Sequence, residues 1–166
     1  INAIAKLVKV NGATHLRGGV FRAGTYPGKN FGWVEEKLIR SYAEAAKQNN
    51  LKNIIEVLDY TDGSLDFISQ YCDCFQVGAR QMQNYTLLRK VGASGKPVFL
   101  KRNQGATLDE WLGAAEHILT AQLEAGVSAE VSLIERGSST FLNHVRWDLS
   151  ISMIPAIKEI TQMPVI

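Results

Sequence analysis

Val98-Phe99-Leu100-Lys101-Arg102 is an apolar run that ends in two positive charges, and it decides the fold class. Its three apolar residues are consecutive, which is typical of a parallel strand buried on both faces. Ile54-Ile55 lies in a second short run of the same kind. Longer segments with helical spacing of apolar residues separate such runs, and this alternation predicts repeated βα units with a parallel sheet. We therefore expect an α/β protein.

The predicted elements alternate along the whole chain. Strands are expected at about 14–21, 53–58, 74–79, 97–101 and 130–135, and helices at about 3–11, 33–49, 63–71, 83–90, 107–125 and 150–161. The fifth helix opens with a capping-box pattern, because Glu110 lies three residues after Thr107. Pro164-Val165-Ile166 is interpreted as the start of a sixth strand. With no linker composition inside it, the chain is predicted to be one domain over residues 1–166.

Composition excludes several classes of protein. The chain has 166 residues, 46% of them hydrophobic, and a net charge of +2. Such a charge is too small to indicate nucleic-acid binding, and no run of like charges indicates a membrane surface. Without an apolar stretch of about 18 residues or a leader pattern, we expect a cytoplasmic protein that does not enter a membrane. Free cysteines are most often buried core residues, so we expect Cys72 and Cys74 to be buried reduced thiols.

Four cations follow apolar runs at the predicted carboxyl ends of strands. They are Arg17 before two glycines, Arg80 after Gly78-Ala79, Lys101, and Arg136 before another glycine. Cations converging there would suit a small anion that carries both phosphate and carboxylate. Because a polar group follows essentially every predicted strand, we favour a (β/α) barrel over an open doubly wound sheet, in which site residues cluster at one switch point.

Glu56 lies inside an apolar run, where an unpaired carboxylate would be costly. It needs a cationic partner, which the strand-end set supplies. We favour a structural ion pair that orients the lysine, and the alternatives are a general base or a metal ligand. The three histidines are scattered, so no metal site is expected from the spacing within this chain.

Three motifs resemble class I DAHP synthase (3-deoxy-D-arabino-heptulosonate 7-phosphate synthase), in its shorter aldolase-barrel form, within the superfamily that also holds KDO 8-phosphate synthase. They are Gly78-Ala79-Arg80-Gln81-Met82-Gln83-Asn84-Tyr85, Gly95-Lys96-Pro97-Val98-Phe99-Leu100-Lys101-Arg102 and Ala106-Thr107-Leu108-Asp109-Glu110-Trp111. The resemblance implies part of a TIM (β/α)8 barrel, with five complete strands and a stub. It also implies an aldol-type condensation of phosphoenolpyruvate with erythrose 4-phosphate, in the shikimate pathway of aromatic amino-acid biosynthesis.

The same resemblance assigns roles to residues. The substrate-binding set for phosphoenolpyruvate is Arg17, Gly78, Ala79, Arg80, Lys101 and Arg136, and the catalytic set is Lys101, Arg22 and Glu56. Arg22 stands where the family has the lysine of a Lys-Pro-Arg-Thr-Ser loop, and Gly24 replaces the arginine that holds the aldose phosphate. Arg22 keeps the positive charge but cannot exchange a proton as a lysine can.

The family's divalent metal is implied as a cofactor, with ligands on strands outside this chain. We therefore expect a partial barrel without its first and eighth strands, inactive as an isolated segment. Such a segment would form a homo-oligomer or be completed by the missing segments. Two alternatives stay open: a protein that binds phosphoenolpyruvate without catalysis, and a related synthase that uses another aldose phosphate such as arabinose 5-phosphate.

Overall fold

The computed structural model describes residues 1–21, 35–59, 63–141, 144–145 and 147–166. They divide into two compact units, Ile1–Gln76 and Val77–Ile166. Within the described ranges, no helix is long and apolar enough to cross a membrane. The prediction of a single domain stays a prediction.

The first unit alternates helices and strands. Its elements are α1 (Asn2–Val10), β1 (His15–Gly18), α2 (Glu36–Gln48), β2 (Lys52–Val57), α3 (Ser64–Ser69) and β3 (Cys74–Val77), of which Val77 already belongs to the second unit. The strands are neighbours in the order β1, β2, β3. The pair β1–β2 is parallel, with Arg17 opposite Ile54 and Gly18 opposite Ile55.

Helix α2 covers one face of β1 and β2. An ideal Cβ built on Gly18 would lie 2.4 Å from Cε2 of Tyr42, a residue of α2. Successive strand residues point to opposite faces, so Gly18 and Ile55 face α2 while Arg17 and Glu56 point away from it. The two ionisable residues therefore lie on the strand face that α2 leaves uncovered.

The second unit continues the alternation. A short 3₁₀ turn (Ala79–Gln81) leads to α4 (Tyr85–Ala93), β4 (Val98–Lys101), α5 (Leu108–Glu124), β5 (Val131–Ile134) and α6 (Met153–Ile160). Strands β4 and β5 are parallel, with Lys101 opposite Ile134. Val165 forms a parallel bridge with Leu133, so the residues interpreted as the start of a sixth strand do pair with β5.

The sequence located these elements well and placed their ends less well. The capping box on α5 is present: Thr107 Oγ1 accepts the Glu110 amide hydrogen at 3.2 Å, and the Glu110 carboxylate accepts that of Thr107 at 2.8 Å. Strand β1 ends at Gly18 rather than near residue 21. Cys72 and Cys74 are buried free thiols, as expected.

Candidate functional site

The two cations at the end of β4 point in different directions. Arg102 places its guanidinium over the ring of Trp111 in α5, 6.0 Å from the ring centre. The face of β4 that Arg102 shares with Leu100 is therefore the helix-covered face. Lys101 lies on the opposite face and is half-buried. Of these two adjacent cations, Lys101 alone thus faces away from α5.

Arg102 forms an ion pair with Glu135, the residue directly after β5. Glu135 Oε2 accepts from Arg102 Nε at 2.6 Å, and Oε1 accepts from Nη2 at 2.9 Å. Both side chains are almost wholly buried, with 2% and 1% of their surfaces exposed. Burial alone would raise the pKa of Glu135, but hydrogen bonds from Arg102 and from two backbone amides hold that pKa below its ordinary value. The pair is therefore charged and internally compensated.

Arg136 lies in the turn that follows β5. Residues opposite one another in a parallel pair point to the same side, so Lys101 and Ile134, the last residue of β5, share a face. The Arg136 guanidinium lies 4.8 Å from the ring centre of Trp147, within the range of a cation–π contact. Lys101 and Arg136 are thus two cations near the carboxyl ends of adjacent parallel strands, and Lys101 lies on the face away from α5.

The segment 78–80 follows β3 directly. Gly78 and Ala79 are buried, whereas Arg80 is exposed. The Gln81 amide donates to the Gly78 carbonyl at 2.8 Å, which closes the 3₁₀ turn that carries Arg80. Arg80 is therefore an exposed residue just beyond the carboxyl end of the buried strand β3, where the sequence predicted it.

A three-residue network joins the strand ends of the first unit. Arg17 donates from Nε to Gln76 Oε1 and from Nη2 to Glu56 Oε2, both at 3.0 Å. Gln76 Nε2 donates to the same Glu56 oxygen at 2.8 Å. Glu56 thus has the cationic partner that its apolar setting requires, and that partner is Arg17. Its suggested role in orienting Lys101 stays a prediction.

Gln76 is the member of this network that sequence reasoning missed. It is 2% exposed, and its amide satisfies both Arg17 and Glu56. The available signal was a lone amide within the apolar strand Cys74-Phe75-Gln76-Val77, since buried polar groups need partners. Arg22 and Gly24 stand where the family has a lysine and an arginine, and both lie outside the described residues.

The described residues offer no metal centre. Within these ranges, no group of three or more His, Cys, Asp or Glu side chains could hold a metal ion. The residues described therefore do not fit the metal that the family resemblance implies.

A cationic groove lies elsewhere in the second unit, between α4 and α5. It has a volume of about 610 Å³, and Arg89 and Lys90 line it together with Glu124. An ion pair between Arg89 and Glu124 neutralises part of its charge. This groove is the natural competitor of the strand ends for an anion.

Comparison with known proteins adds sequence and structural relatives. A family model described as "DAHP synthetase I family" matches residues 1–166. Phospho-2-dehydro-3-deoxyheptonate aldolase of Thermotoga maritima is 35% identical over 155 residues, which cover 93% of this chain and 44% of that protein. The chain thus spans less than half the length of this curated relative.

Two solved structures are similar over nearly the whole chain. The crystal structure of phospho-2-dehydro-3-deoxyheptonate aldolase (DAHP synthase) from T. maritima gives a TM-score of 0.85 at 32% identity, covering 99% of this chain and 45% of that one. A truncated form of 3-deoxy-D-arabino-heptulosonate 7-phosphate synthase from T. maritima gives 0.82 at 32% identity, covering 99% and 56%. These likenesses confirm the predicted fold, part of a TIM-type α/β barrel.

Proposed function

The chain belongs to the DAHP synthetase I family, and from this premise we propose that it supplies the phosphoenolpyruvate-binding part of a synthase. In the reaction, phosphoenolpyruvate condenses with a sugar phosphate, erythrose 4-phosphate, in an aldol-type step. The shikimate pathway is the setting that the family implies. The chain spans about half the length of its relatives, so the complete activity would need more than these strands.

The main support for the proposal is that β4 ends in Lys101, on the face away from α5, and that Arg136 follows the adjacent parallel strand β5. Arg102 and Glu135 neutralise each other on the helix-covered face. We assign to the anion the two neighbouring cations that are not members of this ion pair, Lys101 and Arg136. A dianionic phosphate beside a carboxylate is an anion of suitable size and charge for such cations.

The residues have distinct chemical roles in this proposal. Arg80 and Arg136 each present a planar fork that can hold two oxygens of phosphate or carboxylate, whereas Lys101 acts as a point charge and proton donor. Gly78 and Ala79 would bring backbone close to the anion. The family resemblance also assigns Arg17 and Glu56 to the reaction, and these two form an ion pair within the first unit. Because no described cluster fits the metal, we derive no step through it.

Binding without catalysis is the second candidate function, and the loop at 22–27 favours it. The family's lysine and arginine are Arg22 and Gly24 in this chain. A glycine cannot hold an aldose phosphate by charge, and an arginine is a poor proton donor or acceptor. We propose that the chain keeps the phosphoenolpyruvate half of the site and is inactive by itself.

Calorimetry with phosphoenolpyruvate tests the binding proposal. We expect wild type to bind and Arg80→Ala to bind roughly tenfold to a hundredfold more weakly, because a charge-assisted hydrogen bond contributes about 1.5–3 kcal/mol. Lys90→Ala in the α4–α5 groove is the matched control and should bind like wild type. Equal affinity of wild type and Arg80→Ala would reject the assignment.

An assay of phosphoenolpyruvate consumption separates the two functions. The chain is incubated with a divalent metal and either erythrose 4-phosphate or arabinose 5-phosphate. We expect no turnover with either sugar despite measurable binding. Turnover with erythrose 4-phosphate would show a complete synthase, and turnover with arabinose 5-phosphate alone would identify the related synthase.

A further inference from the structure

We infer that Arg102 and Glu135 are positioning residues, which fix the backbone of Arg136 so that its guanidinium is held ready for the anion. The inference rests on the proposed function, since it concerns the same strand-end site. Arg102 and Glu135 lie on the helix-covered face, and neither is among the substrate-binding residues predicted from the sequence. Neither residue needs to touch the anion.

The carboxylate of Glu135 holds the turn after β5 directly. Its Oε1 accepts hydrogen bonds from the amide of Arg136 at 2.8 Å and from the amide of Gly137 at 2.7 Å. The same oxygen accepts from Arg102 Nη2, and Oε2 accepts from Arg102 Nε. One carboxylate therefore ties the backbone that carries Arg136 to the guanidinium at the end of β4.

Arg102 extends the connection to two further segments. Its Nη1 donates to the Ala106 carbonyl at 2.7 Å, in the loop before α5, and its Nη2 donates to Ser138 Oγ at 2.7 Å. Ser138 also exchanges two backbone hydrogen bonds with Asp148, at 2.9 and 3.0 Å. The guanidinium thus braces both the loop that follows Lys101 and the turn that follows Arg136.

The turn itself leaves little room for another conformation. Gly137 has a φ of 89°, and a Cβ at this position would lie 3.0 Å from the Asp148 carbonyl oxygen. The Glu135 carboxylate binds the amides of Arg136 and Gly137, and Gly137 packs closely against the backbone of Asp148. Together these contacts fix the backbone position from which the Arg136 side chain extends. Charged recognition depends strongly on such placement.

A purely structural role would not require these ions. Buried ion pairs can often be replaced by apolar side chains of similar volume without loss of stability, because ion desolvation offsets their attraction. Such a replacement would leave the amides of Arg136 and Gly137 without their acceptor. Loss of that acceptor would itself lower stability, so positioning is judged in variants that stay folded, from amide exchange and affinity rather than from the melting temperature.

Two variants and one control make the separation. Arg102→Met combined with Glu135→Leu removes both charges while keeping bulk, and Arg102→Lys keeps the charge but loses the fork. The control replaces the exposed pair Arg89–Glu124 of the same unit by two glutamines. For each protein we measure thermal unfolding, amide hydrogen exchange at Arg136 and Gly137 by NMR, and phosphoenolpyruvate affinity by calorimetry.

We expect the control to match wild type in every measurement. In Arg102→Lys, exchange at both amides should accelerate by about tenfold or more, and phosphoenolpyruvate affinity should fall by a similar factor. In the double variant, affinity should fall even where the melting temperature is kept. Wild-type affinity in a folded double variant, or unchanged exchange in Arg102→Lys, would overturn the inference.

The exchange measurement keeps this inference distinct from the proposed function. Amide protection is measured without ligand, so it reports on the positioning pair alone. If wild type fails to bind phosphoenolpyruvate, the proposed function is rejected, and with it the role of the pair in holding Arg136 for that substrate.

Discussion

Tyr42 shows how a single side chain supports the strand ends of the first unit. Its hydroxyl group is buried and donates to the carbonyl oxygens of Leu16 and Ile54, the latter at 3.1 Å. Burial raises the pKa of Tyr42 to about 12, so the phenol stays neutral and able to donate at ordinary pH. One hydroxyl therefore connects α2 to both β1 and β2, directly behind Arg17.

A side chain at Gly18 should lower the stability of the protein, because the Tyr42 ring occupies the space that it would need. Its Cβ would lie 2.4 Å from a ring that two hydrogen bonds anchor, so Gly18→Ala should lower the free energy of unfolding by about 1–3 kcal/mol. Gly19→Ala is the control, since a Cβ there meets nothing within 4 Å. Chemical denaturation compares the two, and equal stability would show that the Tyr42 ring moves aside freely.

The choice between Lys101 and Arg102 marks the limit of sequence reasoning at this scale. Two adjacent cations follow the same apolar run, and residue order does not say which of them a carboxylate neutralises. The distinction depends on Glu135, 33 residues later, which lies beside Arg102 only because β4 and β5 are parallel neighbours. Such a partner is set by register, which residue order alone does not specify.

At the scale of elements, α4 and α5 pack closely at one glycine. A Cβ on Gly92 of α4 would lie 2.4 Å from the carbonyl oxygen of Ile118 in α5. Backbone cannot rotate away as a side chain can, so the separation of these helices is set by the absence of a side chain there. The exposed groove lined by Arg89 and Lys90 lies along the same pair of helices.

Two alanine substitutions on these helices should therefore act in opposite directions. Gly92→Ala should destabilise the second unit by about 1–3 kcal/mol through overpacking. Gly113→Ala, in α5 with nothing within 4 Å of its Cβ, should stabilise it by about 0.5–1 kcal/mol through helix propensity. Differential scanning calorimetry measures both. Stabilisation by Gly92→Ala would contradict the close helix approach.

The ends of helices and strands could be predicted from the sequence only where neighbouring residues mark them. Thr107 and Glu110 gave the start of α5 directly, because a capping box is read from neighbouring residues. Strand β1 was predicted too long, since Val20 and Phe21 continue the apolar pattern beyond Gly18. Both are buried without belonging to the strand, a distinction that apolar periodicity does not make.

At the scale of the whole molecule, the family and the barrel type of fold followed from the motifs, while the site roles remain proposals. The chain carries a strand-end cation set and a separate cationic groove between α4 and α5. An anion drawn only by net charge would use either. We expect phosphoenolpyruvate to bind at the strand ends, where the cations follow parallel strands.

Titration of phosphoenolpyruvate into the isotope-labelled chain, followed by NMR of its backbone amides, distinguishes the strand ends from the α4–α5 groove. We expect chemical-shift changes concentrated at Gly78, Arg80, Arg102 and Gly137, while the amides of Arg89, Lys90 and Glu124 stay unchanged. Inorganic phosphate should produce a smaller set of shifts at the same strand ends. Shifts confined to the α4–α5 groove, or none at the strand ends at saturating phosphoenolpyruvate, would contradict this expectation.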